Sequence, residues 1–238
     1  MATTSEILSI DPDLVAAVPP RSRKAAQRAC LAGIKRVPRG EWEPCAEGPD
    51  RGGFGLLVLS GHLVRRVGRE ERFGAELLGP GDLLRPWQTI TSAASLPFEP
   101  RWTAITPVEL AILDADFARR AAPFPAIAVQ MVDRATMRSR HLAVAIAIVQ
   151  QPRIEDRLLH LLWSYADRWG TVGTEGVSVE VPLTHAVLAE LAAARRPTVS
   201  TALGQMAKSG LVERVDGGWL LRGGPPVGEA RPAAVSAA

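Results

Sequence analysis

The spacing of the apolar residues changes twice along this chain. Between about Gly40 and Leu113 they form short runs separated by glycine and proline, as in FGLLVLSGHLVRRV, AELLGPGDLL and WTAITPVELAIL. Runs of this kind are typical of short β-strands joined by turns. We predict turns at Ser60-Gly61 and Gly79-Pro80-Gly81, and the spacing indicates an all-β roll or barrel.

Helical spacing is found on both sides of this β-rich segment. Two helices are predicted before it, at Pro12–Val18 and Ser22–Ala32. After it, the absence of glycine predicts one long helix from about Pro125 to Gln150. A further helix is predicted at Ile154–Trp169, directly after Pro152, a residue that suits the first turn of a helix.

The long predicted helix has two possible seams for contact with a second copy, both with alternating steps of three and four. One seam consists of Met131, Ala135, Arg138, Leu142, Ala145 and Val149. The other consists of Val129, Val132, Thr136, Ser139, Ala143 and Ile146. The sequence leaves open which seam forms a dimer, and whether the stripe instead packs on its own β-roll.

The stretch LTHAVLAELAAARRPTVSTALGQMAKSGLVER has helical spacing throughout, yet Pro197 lies in its middle. A proline inside a helix costs roughly 3 kcal/mol or more. That cost disappears if the stretch forms two helices, one capped by Thr184 and one with Pro197 in its first turn. Ala192-Ala193-Ala194 then forms a tight turn, and Gly210 suits a left-handed helix end. This arrangement is a helix-turn-helix unit, whose second helix lies in the DNA major groove.

Composition is that of an ordinary globular protein, with 238 residues, 47% apolar and 22% charged. No apolar run approaches the ~18 residues of a membrane helix. The N-terminus lacks the order of a signal peptide, so we expect a cytoplasmic protein without a membrane partner. The net charge of +3 permits a polyanionic partner, and the cations cluster at Pro19–Arg28 and Arg195-Arg196.

No set of residues indicates an enzyme, a cofactor or a metal. Cys30 and Cys45 are too few for an iron–sulfur cluster, and we interpret both as small apolar residues. The four histidines are scattered along the chain, and His62, the only one in the predicted roll, is expected on its surface. The carboxylates have no neighbouring catalytic or metal-binding partners.

The second helix of the predicted helix-turn-helix unit has one apolar and one polar side. Val199, Leu203 and Met206 form the apolar stripe. There is no acidic residue from Arg195 to Lys208, as a surface that approaches phosphates requires. The predicted DNA contacts are Arg195, Arg196, Thr198, Ser200, Thr201, Gln205 and Lys208.

Two further patterns complete this C-terminal piece. VSVEV (Val177–Val181) alternates as a strand, and Asp216-Gly217-Gly218 predicts the turn of a β-hairpin, the wing. The stretch LTHAVLAELAAARRPTVSTALGQMAKSGLVERVDGGWLL resembles the C-terminal domain of the Crp/Fnr superfamily. The shared pattern is L-T-x-x-x-L-A-x-L, then R-R/E-x-T-V-S/T-x-x-L, then G-L-V/I and a wing.

The resemblance implies a homodimeric transcription regulator with an α+β fold. Its parts would be an N-terminal cyclic-nucleotide-binding-like β-roll at 1–122, a long dimerisation helix at 123–151 and a C-terminal winged helix-turn-helix at 152–223. Residues 224–238 have no apolar period and are predicted to be disordered. The resemblance makes Arg196 the base-reading arginine and places Thr198, Ser200 and Thr201 on phosphates or bases. The preferred DNA sequence stays open, because the family often has an acid at Pro197 and an arginine at Thr201.

The N-terminal domain departs from the cyclic-nucleotide binders of this superfamily. Those carry G-E-x-L followed by R-S/T-A, in which the arginine pairs with the cyclic phosphate. This chain has Gly81-Asp82-Leu83-Leu84, and Phe98-Glu99-Pro100 stands near the place of the arginine. A carboxylate there repels a phosphate, so cyclic AMP and cyclic GMP are not expected to be effectors.

The effector of the predicted roll is unknown. The interior is expected to be empty, filled by side chains such as Trp87 and Phe98, or adapted to another molecule. The candidate effector-binding residues are Asp82, Arg85, Arg101 and Arg138.

Two classes of function remain after these exclusions. In the first, the protein binds double-stranded DNA as a dimer and contacts RNA polymerase if it activates transcription. In the second, it is an effector sensor or scaffold whose helix-turn-helix unit binds a protein partner. The uninterrupted polar and basic face of the second helix favours the first class.

Overall fold

The computed structural model describes residues 3–44, 53–69, 72–87 and 98–226. The chain divides into two compact units, Met1–Ile146 and Ala147–Ala238. Most of the long helix therefore belongs to the first unit, and the boundaries proposed from the sequence at 122/123 and 151/152 stay predictions. Cys45 and the tail from residue 227 onward lie outside the described residues.

The first unit contains two antiparallel sheets. Their strands are β1 (Thr3–Glu6), β2 (Leu31–Val37), β3 (Gly40–Trp42), β4 (Gly55–Ser60), β5 (Leu63–Arg69), β6 (Arg72–Leu78), β7 (Leu83–Leu84), β8 (Glu99–Ala104) and β9 (Val108–Leu113). One sheet has the order β1-β2-β9-β4-β7 and the other the order β3-β8-β5-β6. The predicted β-roll is thereby confirmed.

Helices lie between β1 and β2 and after β9. They are α1 (Ile7–Ile10), α2 (Pro12–Ala17), a 3-10 turn (Pro20–Ser22), α3 (Arg23–Ala29), α4 (Ala115–Ala121) and α5 (Pro125–Val149). Helix α5 matches the predicted long helix within one residue. One core cluster joins the first sheet to these helices through Phe117, Ile127 and Met131. A second core contains Trp42 and Trp102, whose rings meet edge to face at 5.6 Å.

Both predicted turns are present. Gly61 has a φ of 79°, and a Cβ at this position would collide with the carbonyl oxygen of Pro107, so glycine is required. At the second turn, the Gly79 amide donates to the Asp82 carboxylate at 2.8 Å. The buried carboxylate of Asp82 thus closes the connection between β6 and β7.

Two sequence-based expectations for the first unit were wrong. The helix predicted at Ser22–Ala32 ends at Ala29, because Leu31–Val37 forms β2 and pairs with β9, so the roll begins well before Gly40. His62 is buried, with 8% of its surface exposed, rather than on the surface. Filling of the roll interior by Trp87 and Phe98 was one of three alternatives left open, and Phe98, which is 45% exposed, does not support it. β1, α1, β3 and α4 were not predicted.

The second unit combines three helices with one four-stranded sheet. Its elements are α6 (Ile154–Trp169), β10 (Gly170–Gly173), β11 (Gly176–Val179), α7 (His185–Leu191), α8 (Arg196–Lys208), β12 (Val212–Val215) and β13 (Gly218–Leu221). The sheet has the order β10-β11-β13-β12. The sequence predicted α6 with these bounds and the hairpin of β12 and β13, but it missed β10 as the partner of β11. Within the described ranges, no helix is long and apolar enough to cross a membrane.

Candidate nucleic-acid interface

The first helix of the helix-turn-helix unit begins as the sequence predicts. Thr184 caps α7, and its hydroxyl oxygen accepts a hydrogen bond from the Val187 amide at 3.2 Å. After Leu191 the chain turns through Ala193, which has a left-handed φ of 50°. The Ala194 amide donates to the Ala189 carbonyl at 2.9 Å and closes the turn.

The second helix, α8, has Pro197 in its first turn, where no intrahelical donor is lost. Val199, Leu203 and Met206 are buried, as predicted, and Ala202 joins them. The helix ends at Lys208, and Gly210, two residues further on, has a left-handed φ of 69°. The apolar side of α8 therefore fixes which side chains point outward.

The outward side of α8 presents most of the predicted DNA contacts. Arg195, Arg196 and Lys208 are exposed, and none of them forms an ion pair with another described residue. Also exposed are Thr198, Thr201 and Gln205. The Thr201 hydroxyl donates to the Pro197 carbonyl at 3.1 Å, so its methyl group and an oxygen lone pair remain available. The face is cationic at both ends and uncharged between them.

Ser200 differs from the other predicted contacts. It is only half-exposed, and its Oγ lies 2.9 Å from Nδ1 of His185 on α7. The His185 ring stacks on Trp219 of the wing, with ring centroids 6.1 Å apart. The structure thus brings Ser200 to the joint between α7, α8 and the wing, a place that helical periodicity alone does not indicate.

The wing is attached to the start of α7 by two hydrogen bonds to one carbonyl. The Leu183 carbonyl accepts from Arg214 Nη1 at 2.6 Å and from Trp219 Nε1 at 3.1 Å. The Arg214 guanidinium also lies 4.9 Å from the centre of the Trp219 ring. The hairpin and the two helices therefore form one rigid unit.

The first unit has a separate cavity of about 490 Å³ between its sheets and α5. Its lining contains three arginines, one hydroxyl and several apolar side chains: Arg65, Arg85, Arg138, Ser139, Phe54, Leu83, Met131, Val132, Ala135 and Leu142. A cavity of this size accommodates a small molecule.

The structure brings three of the four candidate effector residues to this region. Arg85 and Arg138 line the cavity, and Arg85 Nε donates to the Phe54 carbonyl at 2.9 Å. Asp82 is buried in the turn beside it. Arg101 lies elsewhere, exposed on β8 with its guanidinium 4.5 Å from the centre of the Phe73 ring.

A partly buried carboxylate that the sequence analysis missed binds two of these arginines. Glu76 of β6 bonds both Nε and Nη2 of Arg138 at 2.9 Å, and it also pairs with Arg65 at 2.8 Å. Arg65 and Glu76 are direct partners across the β5–β6 ladder. The sequence analysis predicted no turn between β5 and β6, so it had no signal for this pair.

The pKa values of Arg138 and Arg65 are shifted in opposite directions, although both arginines contact Glu76. Burial disfavours the charge of Arg138, but the hydrogen bonds and attraction of Glu76, with Asp82, outweigh burial and raise the pKa of Arg138. Burial lowers the pKa of Arg65, and the neighbouring charge of Arg138 acts in the same direction, against the attraction of Glu76. Both guanidiniums remain cationic at neutral pH.

Among the described residues, no group of three or more His, Cys, Asp or Glu side chains is arranged to hold a metal ion.

Comparison with known proteins shows which domains and folds resemble this one. Residues 156–222 match the sequence profile of the Crp-like helix-turn-helix domain. Regulatory protein CysR of Synechococcus elongatus is 31% identical over 86 residues, which span 35% of this chain and only 42% of CysR. A CooA mutant from Carboxydothermus hydrogenoformans aligns with a TM-score of 0.60 and 19% identity over 91% of this chain and 89% of its own.

FixK2 from Bradyrhizobium japonicum aligns with a TM-score of 0.58 and 17% identity, over 81% of this chain and 93% of its own. The chain thus contains a Crp-like helix-turn-helix domain and has the fold of the Crp/Fnr regulators. The matched domain and the shared fold agree with the superfamily that the sequence resembles.

Proposed function

We propose that this chain is a sequence-specific DNA-binding transcription regulator, which acts in the cytoplasm as a homodimer and has no enzymatic activity. The observation that carries the proposal is the outward face of α8. Its cations Arg195, Arg196 and Lys208 are exposed, and no acidic residue interrupts the helix between them. The wing and α7 hold α8 in place. Its exposed cations can therefore bind the phosphates and base edges of the major groove.

Within this face, Arg196 reads a guanine edge, because a guanidinium reaches both acceptors of guanine at once. Arg195, Thr198, Gln205 and Lys208 contact phosphates or neighbouring bases. Thr201 faces the groove, whereas Ser200 acts mainly through its contact with His185.

Gly204 supports a close approach of DNA to the middle of α8. A glycine inside a helix costs about 1 kcal/mol relative to alanine. A Cβ at Gly204 would meet no described atom within 4 Å, so packing within the chain does not require the glycine. A base pair or phosphate that approaches the helix backbone accounts for it.

The dimer forms through the second of the two seams of α5. Every member of that seam is exposed, and Val129, Val132 and Ile146 are 57%, 64% and 63% exposed. In the first seam, by contrast, Met131 is buried against the roll and Arg138 is bound to Glu76. The exposed apolar seam is therefore the one available to a second copy.

Val132→Asp should convert the dimer to monomers, because it places a charge in the seam. Met137→Asp is the matched control, since Met137 is 43% exposed on another side of the same helix. Sedimentation equilibrium measures the mass of each variant. A Val132→Asp variant that remains dimeric would contradict the choice of seam.

The cavity of the first unit binds the effector, with Arg85 and Arg138 toward an anionic group and Asp82 supporting the turn beside them. Phe54, Leu83 and Met131 suit an apolar portion of the ligand. Cyclic AMP and cyclic GMP are not this ligand. Val132 and Ser139 belong both to the dimer seam and to the cavity lining. Binding of the effector in the cavity therefore affects the dimer contact. RNA polymerase is a partner if the protein activates transcription.

Selection and sequencing of bound genomic fragments tests the proposal. We expect an inverted repeat whose half-site centres are one helical turn, about 34–36 Å, apart. Recovery of fragments without any shared sequence would contradict the proposed function, because it would mean that α8 contacts only phosphates.

A further inference from the structure

One histidine of the second unit bonds a side chain of α8. His185, the first residue of α7, places its Nδ1 at 2.9 Å from Oγ of Ser200. The His185 ring also stacks on Trp219 of β13, with an angle of 29° between the two ring planes. All three residues belong to the unit Ala147–Ala238, which contains the whole helix-turn-helix unit and the wing. The contact is therefore made within one compact unit.

The orientation of the His185 ring is set by the aromatic ring beneath it. Trp219 is only 2% exposed, and its Nε1 donates to the Leu183 carbonyl at 3.1 Å. The Arg214 guanidinium, 4.9 Å from the centre of the Trp219 ring, restrains this ring further. An imidazole that stacks on a buried and hydrogen-bonded ring keeps Nδ1 directed at Ser200.

The hydrogen of the Ser200 hydroxyl is donated to His185. A hydroxyl on a helix can instead donate to the carbonyl four residues back, as Thr201 does to Pro197 at 3.1 Å. Within the described part of the chain, Ser200 forms no such bond to the Arg196 carbonyl, and its side-chain partner is Nδ1 of His185. A neutral imidazole that accepts at Nδ1 carries its own hydrogen on Nε2.

This bond decides which hydrogen bonds Ser200 can form on its outward side. An unbonded hydroxyl both donates and accepts, so a serine can contact any of the four bases. With its hydrogen bonded to His185, Ser200 has only oxygen lone pairs to offer and becomes an acceptor. In the major groove, adenine and cytosine present amino donors, whereas guanine and thymine present carbonyl oxygens.

Ser200 lies on the line of α8 that is proposed to approach the bases. Arg196 precedes it by four residues and Gly204 follows it by four, and residues at this spacing are neighbours on a helix surface. Arg196 and Gly204 are exposed, and Ser200 is half-exposed between them. The Ser200 oxygen therefore lies beside the guanidinium that is proposed to read guanine.

We propose that His185 is a positioning residue that makes Ser200 read an amino-bearing base, adenine or cytosine, near the guanine contacted by Arg196. The inference rests on the proposed function and extends it, because it names a class of base that α8 reads and the residue that sets this choice. His185 needs no contact with DNA for this role, since it acts through the Ser200 hydroxyl.

The first measurement needs no DNA. The chain has four histidines, so NMR signals of the His185 imidazole nitrogens can be assigned by their loss in His185→Phe. In the full chain, Nδ1 should have the chemical shift of an unprotonated nitrogen that accepts a hydrogen bond, and Ser200→Ala should change that shift. A hydrogen on Nδ1 would overturn the inference, because the Ser200 hydroxyl would then be free to donate.

The second measurement uses the selected DNA site with each base pair exchanged in turn. At one position near the guanine, the full chain should bind adenine or cytosine about fivefold more tightly per half-site than guanine or thymine, as expected for one hydrogen bond. His185→Phe keeps a ring on Trp219 but removes Nδ1, so it should abolish this preference. His185→Asn should retain much of it, because the amide oxygen can accept from Ser200.

A double substitution and a second histidine provide the controls. Ser200→Ala should abolish the same preference, and His185→Phe should have no further effect on it in the Ser200→Ala background. His160→Phe should leave the preference unchanged, since Nδ1 of His160 lies 2.7 Å from the Asp156 carbonyl within α6. The preference is a ratio of two affinities of the same sample, so partial unfolding of a variant does not alter it.

The outcomes separate this inference from the proposed function. Failure of the unsubstituted chain to select any sequence would contradict the proposed function itself. A selected site at which Ser200→Ala changes no base preference would overturn the inference alone. A preference for guanine or thymine that depends on Ser200 would also overturn it, because the hydroxyl would then be a donor. Equal loss of preference in His160→Phe and His185→Phe would show that the bond to Ser200 is not the cause.

Discussion

The outward face of α8 and the cavity of the first unit both contain arginines, but they hold them differently. Arg195 and Arg196 are exposed and form no ion pair among the described residues. In the cavity, Arg65 and Arg138 are partly buried and share the carboxylate of Glu76. An exposed cation without an ion pair can bind a phosphate. A partly buried cation in an ion pair is held in position, and loss of its carboxylate partner destabilises the protein.

The largest expected effect follows from removal of the shared carboxylate. Glu76→Gln should lower the free energy of unfolding by about 3 kcal/mol, because it removes the carboxylate that two neighbouring, partly buried guanidiniums share. Glu109→Gln is the control, since Glu109 pairs with Arg36 at the surface, where such a pair contributes at most about 1 kcal/mol. Urea denaturation measures both. Equal losses for the two variants would contradict the difference between buried and exposed arginines.

On α8, Arg196→Ala should weaken binding by about 1–3 kcal/mol per half-site and relax the preference for one guanine. Thr198→Ala and Lys208→Ala should weaken binding to all sequences more evenly, because phosphate contacts are independent of sequence. Titration of the selected site and of variants at each base pair makes the distinction. If Arg196→Ala lost affinity equally on every sequence, Arg196 would contact phosphates only.

A smaller effect is expected at the turn between α7 and α8. Ala193 has a φ of 50°, a conformation that costs an L-residue roughly 1–2 kcal/mol and glycine almost nothing. Ala193→Gly should therefore stabilise the protein by about 1 kcal/mol, whereas Ala194→Gly, at a position without a positive φ, should destabilise it. Thermal denaturation gives the sign of each change. Destabilisation by Ala193→Gly would refute the strain at the turn.

The last prediction concerns the cavity and is an absence of binding. Neither cyclic AMP nor cyclic GMP should give a heat of binding in calorimetry. Glu99 and Pro100 lie in β8, paired with Gly68 and Val67 of β5, so this segment is strand instead of a turn that cradles a phosphate. Micromolar binding that Arg85→Ala or Arg101→Ala abolishes would show that a neighbouring arginine serves the phosphate.

Local chemistry explains the parts of the protein that the sequence predicted well. Thr184 caps a helix, Pro197 begins one and Gly210 follows the end of one, and each of these roles depends on a few adjacent residues. The bounds of α6 and the turn at Gly61 were likewise predictable from short-range patterns. For this reason the outward side of α8, apart from the place of Ser200 beside His185, followed from periodicity.

Contacts between residues distant in sequence decided the rest. Leu31 and Ala32 continue a helical pattern, but pairing of β2 with β9 makes them a strand. Both seams of α5 are apolar enough to form a dimer, and only the packing of Met131 on the roll leaves Val132 and Ile146 exposed. The pairing of Glu76 with Arg138 joins residues 62 positions apart, so neither periodicity nor propensity indicates it. Such choices depend on which surfaces meet after folding, and only the tertiary structure supplies them.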